Sequence, residues 1–519
     1  MTTYDTAAPA ADEIASTASP VGRGGKKTEG TALGWVLALF GTAMGAGILF
    51  LPLQAGTFGF WPLAFATAII FPVVYFSHRT YARIVSGAPT KDHGLDVLEL
   101  VRKYLGRHTG LFVALMYSLA NIPSVFIYAI SLTNAIDSFI VNQLHGPSIN
   151  RWVLSVLCVG ILTGIFAIGR KPMLWLAQAL VYPLIISLAA TSIYLIPQWD
   201  LRSFMEVQYQ DGSWQYILLG SVLILPVLAF SFSHMAGLSQ FSVDMQPTYG
   251  EKTEKHVTRI ELYTAALLVV FTMFFVWSCV LALGADGMKE ATEQNLPVLS
   301  YFANVTGVPL LAWLAPMVVI FAIITSYFGT MLGAEEGTSY MVRLIAPRTA
   351  NRLNRRGLLT IVYTFIFVTG TLVSVFNPPI LSLIYLVGGV FDAVLIFLLP
   401  VYMFHRVKEY KTYRHDPWNY FVFFFGSVIL AITIWGLVLV RFLKRPVWGG
   451  LGFQDVAKQA KEAFAVRLFD DRRVSFQAKG LPGHCRIASR NTVTRDHVCL
   501  VAPGFLDEIW VRQRCQPPS

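Results

Sequence analysis

A hydrophobic segment broken at its midpoint constrains this chain more than any other feature. Residues 35–53 read WVLALFGTAMGAGILFLPL, with Gly41, Gly45 and Gly47 clustered at the centre. Hydrocarbon offers no water to amides that leave a helix, so such a break must face protein or a hydrated cavity. A second long apolar segment, residues 214–236, runs into FSFSHMAG, where Ser231, Ser233 and His234 are side chains that hydrocarbon disfavours. Two interrupted helices in one multispanning chain predict a solute site near the bilayer midplane.

The rest of the chain supports a membrane location. Of 519 residues, 55% are hydrophobic and 13% charged, with a mean hydropathy of +0.56; soluble domains carry roughly 25% charged residues. Stretches apolar enough to cross a bilayer lie at 31–54, 57–77, 110–141, 151–168, 173–196, 214–236, 258–284, 308–334, 357–376, 378–404 and 418–443, about eleven in all. The fold class is therefore an all-α integral membrane protein. Residues 1–30 are polar, with no apolar stretch before Leu33, so they read as a disordered cytoplasmic N-terminus rather than a cleaved signal peptide. Basic residues concentrate in alternate loops, Arg79, Arg83, Arg102, Lys103 and Arg107 among them, which predicts an inside N-terminus. The net charge of +10 is then a topology signal and implies no nucleic-acid partner. Arg441, Lys444 and Arg445 run against this pattern after an eleventh span. Residues 447–519 form an Arg-rich zone without sustained periodicity and read as a disordered tail; Cys485, Cys499 and Cys515 lack zinc-ligand spacing.

The interrupted spans are the first and the sixth, five apart. Two five-span units, 31–196 and 214–404, then lie in opposite orientations, followed by an eleventh span at 418–443. In an inverted repeat of this kind, half-helix N-termini offer amides to an anionic group and half-helix C-termini offer carbonyls to a cation. A zwitterionic amino acid satisfies both. Before span three, DVLELVRKYLG has apolar residues at helical spacing, and Asp96 with Glu99 forms a capping-box pattern for a short surface helix. Ionisable residues within the spans are scattered, with no ligand-spaced cluster and no nucleophile beside a base, so no catalytic residue, metal or cofactor is expected. A channel is the physical alternative, since broken helices also line pores.

Seven strings carry a family resemblance: GTAMGAGILFLPLQAG in span one, IYLIPQW closing span five, FSFSH in span six, FFVWSCVLAL in span seven, EQNLPVLSYFAN before span eight, YFGTMLGAEEG at its end and FNPPILSLIYLVGG entering span ten. Over residues 31–443 the chain resembles the hydroxy and aromatic amino acid permeases of the amino acid, polyamine and organocation superfamily, most nearly the serine and threonine branch. The resemblance implies a leucine-transporter-like core, five plus five helices with an eleventh added, in a bacterial inner membrane and in contact with its lipid. It also implies symport of a small amino acid with a proton by alternating access, a sodium-coupled or aromatic amino acid permease being the alternative. Gly41, Thr42, Ala43, Met44, Gly45, Ala46 and Gly47 match the unwound part of span one that holds the substrate's carboxylate and amine. Ser231, Phe232, Ser233 and His234 match the break that faces its side chain, and Tyr128 lies where related folds set an aromatic ring against the substrate. Ser233 departs from a frequent Asn. Thr325 and Ser326 stand where the branch is expected to carry a lysine before its serine. Their hydroxyls suit a sodium ion, or else bond back to their own helix. His234 and Asp392, an isolated carboxylate in span ten, are the candidates for a coupling proton, His234 alternatively serving as a neutral donor that orients unwound backbone.

Overall fold

The computed structural model describes residues 32–442, apart from 169, 208–211, 306–308 and 346–354, together with 486–488 and 510–512. Among them are ten helices long and apolar enough to cross a membrane and one bent pair, Ala32–Ala43 with Ala46–Phe58, inclined at 55°. Eleven spans result. After the bent first span come Phe60–Ser86, Val97–Ser138, Arg151–Ile168 and Arg170–Tyr194. Span six is in pieces, Trp214–Leu223, Leu225–Ser231 and Met235–Tyr249. Thr253–Glu293, Pro309–Ile345, Arg355–Phe376, Ile380–Arg406 and Trp418–Phe442 complete the set, the tenth being π-helical over Val387–Leu398. Both expected interruptions are present, and the fold is helical throughout the membrane region. Beyond the spans, Arg486–Ala488 pairs antiparallel with Trp510–Arg512. The expectations for residues 1–30 and for the rest of the tail lie outside the described residues.

Local chemistry sets the boundaries. The Asp96 carboxylate accepts from the Glu99 amide at 2.8 Å while the Asp96 amide donates to Glu99 Oε2 at 3.3 Å, the reciprocal cap that the sequence predicts. That surface helix ends at Gly106, whose φ of +85° lets the chain turn before span three begins. Span eight packs along spans three and five, and the second half of span one packs against span seven. At one end of the bundle, two of the family strings meet. Asn295 donates to Asn377 Oδ1 at 2.9 Å and to the Pro378 carbonyl at 3.1 Å, and accepts from the Ile380 amide at 2.9 Å. Asn134 of span three donates to Asn377 Oδ1 at 3.0 Å and is held in turn by Arg151 at 2.8 Å.

Span two corrects an expected boundary. The sequence reading ends it at residue 77, but the helix continues to Ser86 with Ser77, His78, Arg79 and Thr80 buried. Burial of Arg79 and partial burial of Arg83 are possible because both are paired: Arg79 Nη2 and Arg83 Nη1 reach Asp416 Oδ2 at 2.8 and 2.7 Å, and Arg83 Nε reaches Glu254 Oε1 at 2.8 Å. The cluster locks span two to the starts of spans seven and eleven.

Partial burial alone would raise the Asp416 carboxyl. The Arg83 hydrogen bond, Arg79 and the Trp418 amide outweigh it and hold the group below its ordinary 3.8. A carboxylate depressed on folding contributes stability above its unfolded pKa, and that contribution disappears as pH falls through the folded value. Melting temperature in detergent should therefore be flat near neutrality and fall below about pH 4. Asp416→Asn should melt a few degrees lower at neutral pH and lose part of that acid-sensitive limb; an identical acid limb in both proteins would remove Asp416 from the lock.

Candidate functional site

The break in span one falls at Met44 and Gly45, between the two helices. Gly45 is extended, with φ −131° and ψ −152°, and no side chain caps the helix that follows. Space, rather than an unusual φ, demands glycine here. A Cβ added at Gly45 would lie 2.5 Å from Ser326 Cβ and 2.8 Å from Tyr128 Cε1, and one at Gly47 would lie 2.7 Å from the Ser231 Cα. Spans three, six and eight thus meet the unwound backbone directly. The two breaks are joined by one hydrogen bond, from Ser231 Oγ to the Gly47 carbonyl at 2.8 Å.

Beside them lies a cavity of about 30 Å³ lined by polar side chains from spans one, three, six, eight and ten, including Thr42, Asn121, Tyr128, Ser233, His234 and Asp392. Room on this scale admits water and not an amino acid. Asp392 sits in the π-helical stretch of span ten with the Ser233 hydroxyl beside it. Local π geometry is frequent at functional sites, because the extra residue per turn re-aims side chains. Of the remaining expected residues, Gly41 offers its carbonyl to Ser326 Oγ at 3.4 Å, while Met44, Ala43, Ala46 and Phe232 are buried. The two hydroxyls of span eight differ. Ser326 reaches toward span one, whereas Thr325 Oγ1 bonds to the Phe321 and Ala322 carbonyls at 3.0 Å within its own helix. Asn121, Ser124 and Thr330 line the cavity and were not singled out in the sequence, although Asn121 and Thr330 lie at helical spacing from Tyr128 and Ser326.

The expectation that membrane-embedded ionisable groups are scattered is corrected at the sixth span. His78, His234 and Glu261, distant in sequence, come together from spans two, six and seven with their ligand atoms all within 4.8 Å, and each is essentially buried. His234 Nε2 lies 3.0 Å from both oxygens of Glu261, and its Nδ1 lies 3.0 Å from the Phe232 carbonyl. The His78 ring stacks on it, centroids 4.0 Å apart and planes inclined by 7°. His78 Nδ1 faces the Val74 carbonyl at 3.0 Å, and its Nε2 receives the His234 amide at 3.4 Å. Every ring nitrogen thus has a protein partner, so the cluster is closed by hydrogen bonds and is not arranged as an open metal site. His78 was missed because span two was ended one residue before it. Glu261 was missed because it follows Lys252, Lys255 and Arg259 and reads as part of their charged flank.

Fold and site together define a polytopic membrane protein in which two interrupted helices close over a small polar cavity. The model of the tryptophan/tyrosine permease family matches residues 28–443, and the chain belongs to that family. Among its relatives, the serine transporter SdaC of Escherichia coli strain K12 is 34% identical over 410 residues, which cover 78% of this chain and 94% of that protein. The threonine/serine transporter TdcC of Escherichia fergusonii is 32% identical over 424 residues, 77% of this chain and 94% of its own length. TdcC of Yersinia enterocolitica is 32% identical over 423 residues, with 78% and 94% covered.

The tightness of the first break has a measurable consequence. Gly45→Ala and Gly47→Ala overpack it and should each destabilise the protein by about 1–3 kcal/mol. Gly164→Ala, whose Cβ meets nothing within 4 Å on a regular helix, should be neutral or slightly stabilising. Melting temperatures in detergent compare the three. Equal values would mean that the break relaxes around an added methyl group.

Proposed function

We propose that this chain is a secondary active transporter that imports a small amino acid, serine or threonine foremost, together with a proton by alternating access. The observation that carries this reading is the pair of unwound segments, tied by the Ser231 to Gly47 bond, beside a polar cavity that holds Asp392. Unwound backbone supplies amides and carbonyls to the two charged ends of a zwitterion. Hydroxyls from Ser233, Thr42 and Ser124 suit a short polar side chain, and hydroxyl recognition by fixed polar groups discriminates more strongly than apolar fit. The relatives' names, serine transporter and threonine/serine transporter, agree with this choice. A cavity too small for the substrate fits a protein whose site opens alternately to each side. The membrane is the bacterial inner membrane, with the N-terminus inside, in keeping with the distribution of Lys and Arg among the loops.

Proton coupling is favoured by the imidazole and the carboxyl group at the cavity, His234 and Asp392. Sodium coupling is the second reading, and Ser326 Oγ beside the Gly41 carbonyl is the observation that favours it. Thr325 weighs against it, since its hydroxyl is engaged within its own helix.

Radiolabelled serine uptake into proteoliposomes, with pH and sodium gradients imposed separately, tests both. The proposal expects accumulation under an inward proton gradient in sodium-free buffer and loss of that drive in Asp392→Asn or His234→Gln. A strict sodium requirement, with both titratable residues dispensable and uptake abolished by Ser326→Ala, would reverse the assignment. The substrate class is read by competition. Serine and threonine should displace label, while serine methyl ester and N-acetylserine, each lacking one charged end, should not. Stronger competition by aromatic amino acids would move the chain to the aromatic branch, and non-saturating flux would make it a channel.

A further inference from the structure

We propose that the coupling proton resides on a His234–Glu261 pair, with His78 as the fixed neutral ring that sets its geometry. The inference rests on the proton-symport reading above and identifies where in that site the proton is held. Hydrogen-bond direction carries the argument. A carbonyl can only accept, so His234 Nδ1, facing the Phe232 carbonyl at 3.0 Å, carries a hydrogen. The other nitrogen, Nε2, is equidistant at 3.0 Å from the two Glu261 oxygens, the arrangement of one ring N–H shared by a carboxylate. One dissociable proton therefore lies between Nε2 and Glu261, as imidazolium with carboxylate or as neutral ring with carboxylic acid. Either way the pair is neutral, which suits its burial at 1% and 0% exposure.

His78 cannot compete for that proton. Its Nδ1 donates to the Val74 carbonyl and its Nε2 accepts the His234 amide, so the surrounding backbone fixes a neutral tautomer. The titratable groups facing the pair are thus His78 from span two and, across the shared cavity, Asp392 from span ten and Tyr128 from span three. Removing the proton leaves neutral His234 with an Nε2 lone pair against a carboxylate, a net charge of −1 in a buried site. The ring must then leave Glu261. Because His234 immediately precedes the second half of span six, that movement displaces the segment lining the cavity. His234 itself lines that cavity, which has room for the water that would supply and receive the proton. Substrate and proton consequently bias the same break, and linkage makes the effect reciprocal.

The test uses the full chain in sodium-free proteoliposomes. Wild-type uptake of labelled serine must respond to an inward proton gradient; if it does not, the symport reading fails before this inference is reached. Given that response, Glu261→Gln should lose gradient-driven accumulation by about tenfold or more, within the usual range for coupled sites, while counterflow of labelled against unlabelled serine persists. Glu261→Asp should keep the drive with a displaced pH profile. A merely structural glutamate would lower counterflow and driven uptake together and leave the pH profile unmoved, and that pattern overturns the proposal. Wild-type accumulation by Glu261→Gln overturns it as well. Where the glutamine variant does not fold, the aspartate variant decides alone: a profile coinciding with wild type sinks the pair as the proton site.

Discussion

Everything at the centre of this protein follows from the need to satisfy backbone groups where the bilayer provides no water. Each interruption frees amides and carbonyls, and an unpaired one costs several kcal/mol in hydrocarbon. The side chains at the breaks meet that demand. Ser231 caps the Gly47 carbonyl, His234 covers the Phe232 carbonyl, and His78 receives the His234 amide. The polarity of these residues is thus matched by the backbone groups that they satisfy.

Much of this was legible because helix breaks and caps are local. Clustered glycines announced the first interruption, FSFSH the second, and Asp96 with Glu99 the surface helix, each read from a few adjacent residues. What stayed hidden was long-range pairing. His78 and Glu261 lie near the span boundaries read from the sequence, where charged and polar residues ordinarily mark water, so the pattern that locates a boundary also concealed them. Arg79 and Arg83 misled in the same way, since only the fold brings Asp416 and Glu254 to them. The cavity residues Asn121 and Ser124 bond to carbonyls one turn back, as polar residues on a packed helix commonly do, and nothing in their spacing separates the two roles.

The strings that carry the family resemblance are not equivalent in what they do. GTAMGAG and FSFSH form the breaks. EQNLP and FNPP are distant from them in the fold's logic: their asparagines, with φ of +54° at Asn295 and +50° at Asn377, interlock to hold the start of span ten near the end of span seven. Asparagine tolerates that conformation better than most residues and can bond its neighbours' backbone while adopting it. Such positions can persist for architectural reasons even where no solute comes near them.

His78 and Arg79 are consecutive residues, and Arg83 follows one turn later. On one rigid stretch of helix, span two thus carries a ring stacked on the sixth-span break and the guanidinium groups of the charged lock. Adjacent helical residues point about 100° apart, so one rod addresses two partners from different faces. Any roll or tilt of this segment changes both contacts at once. Span two therefore ties the geometry of the buried histidine stack to that of the peripheral ion pairs through a single stretch of helix.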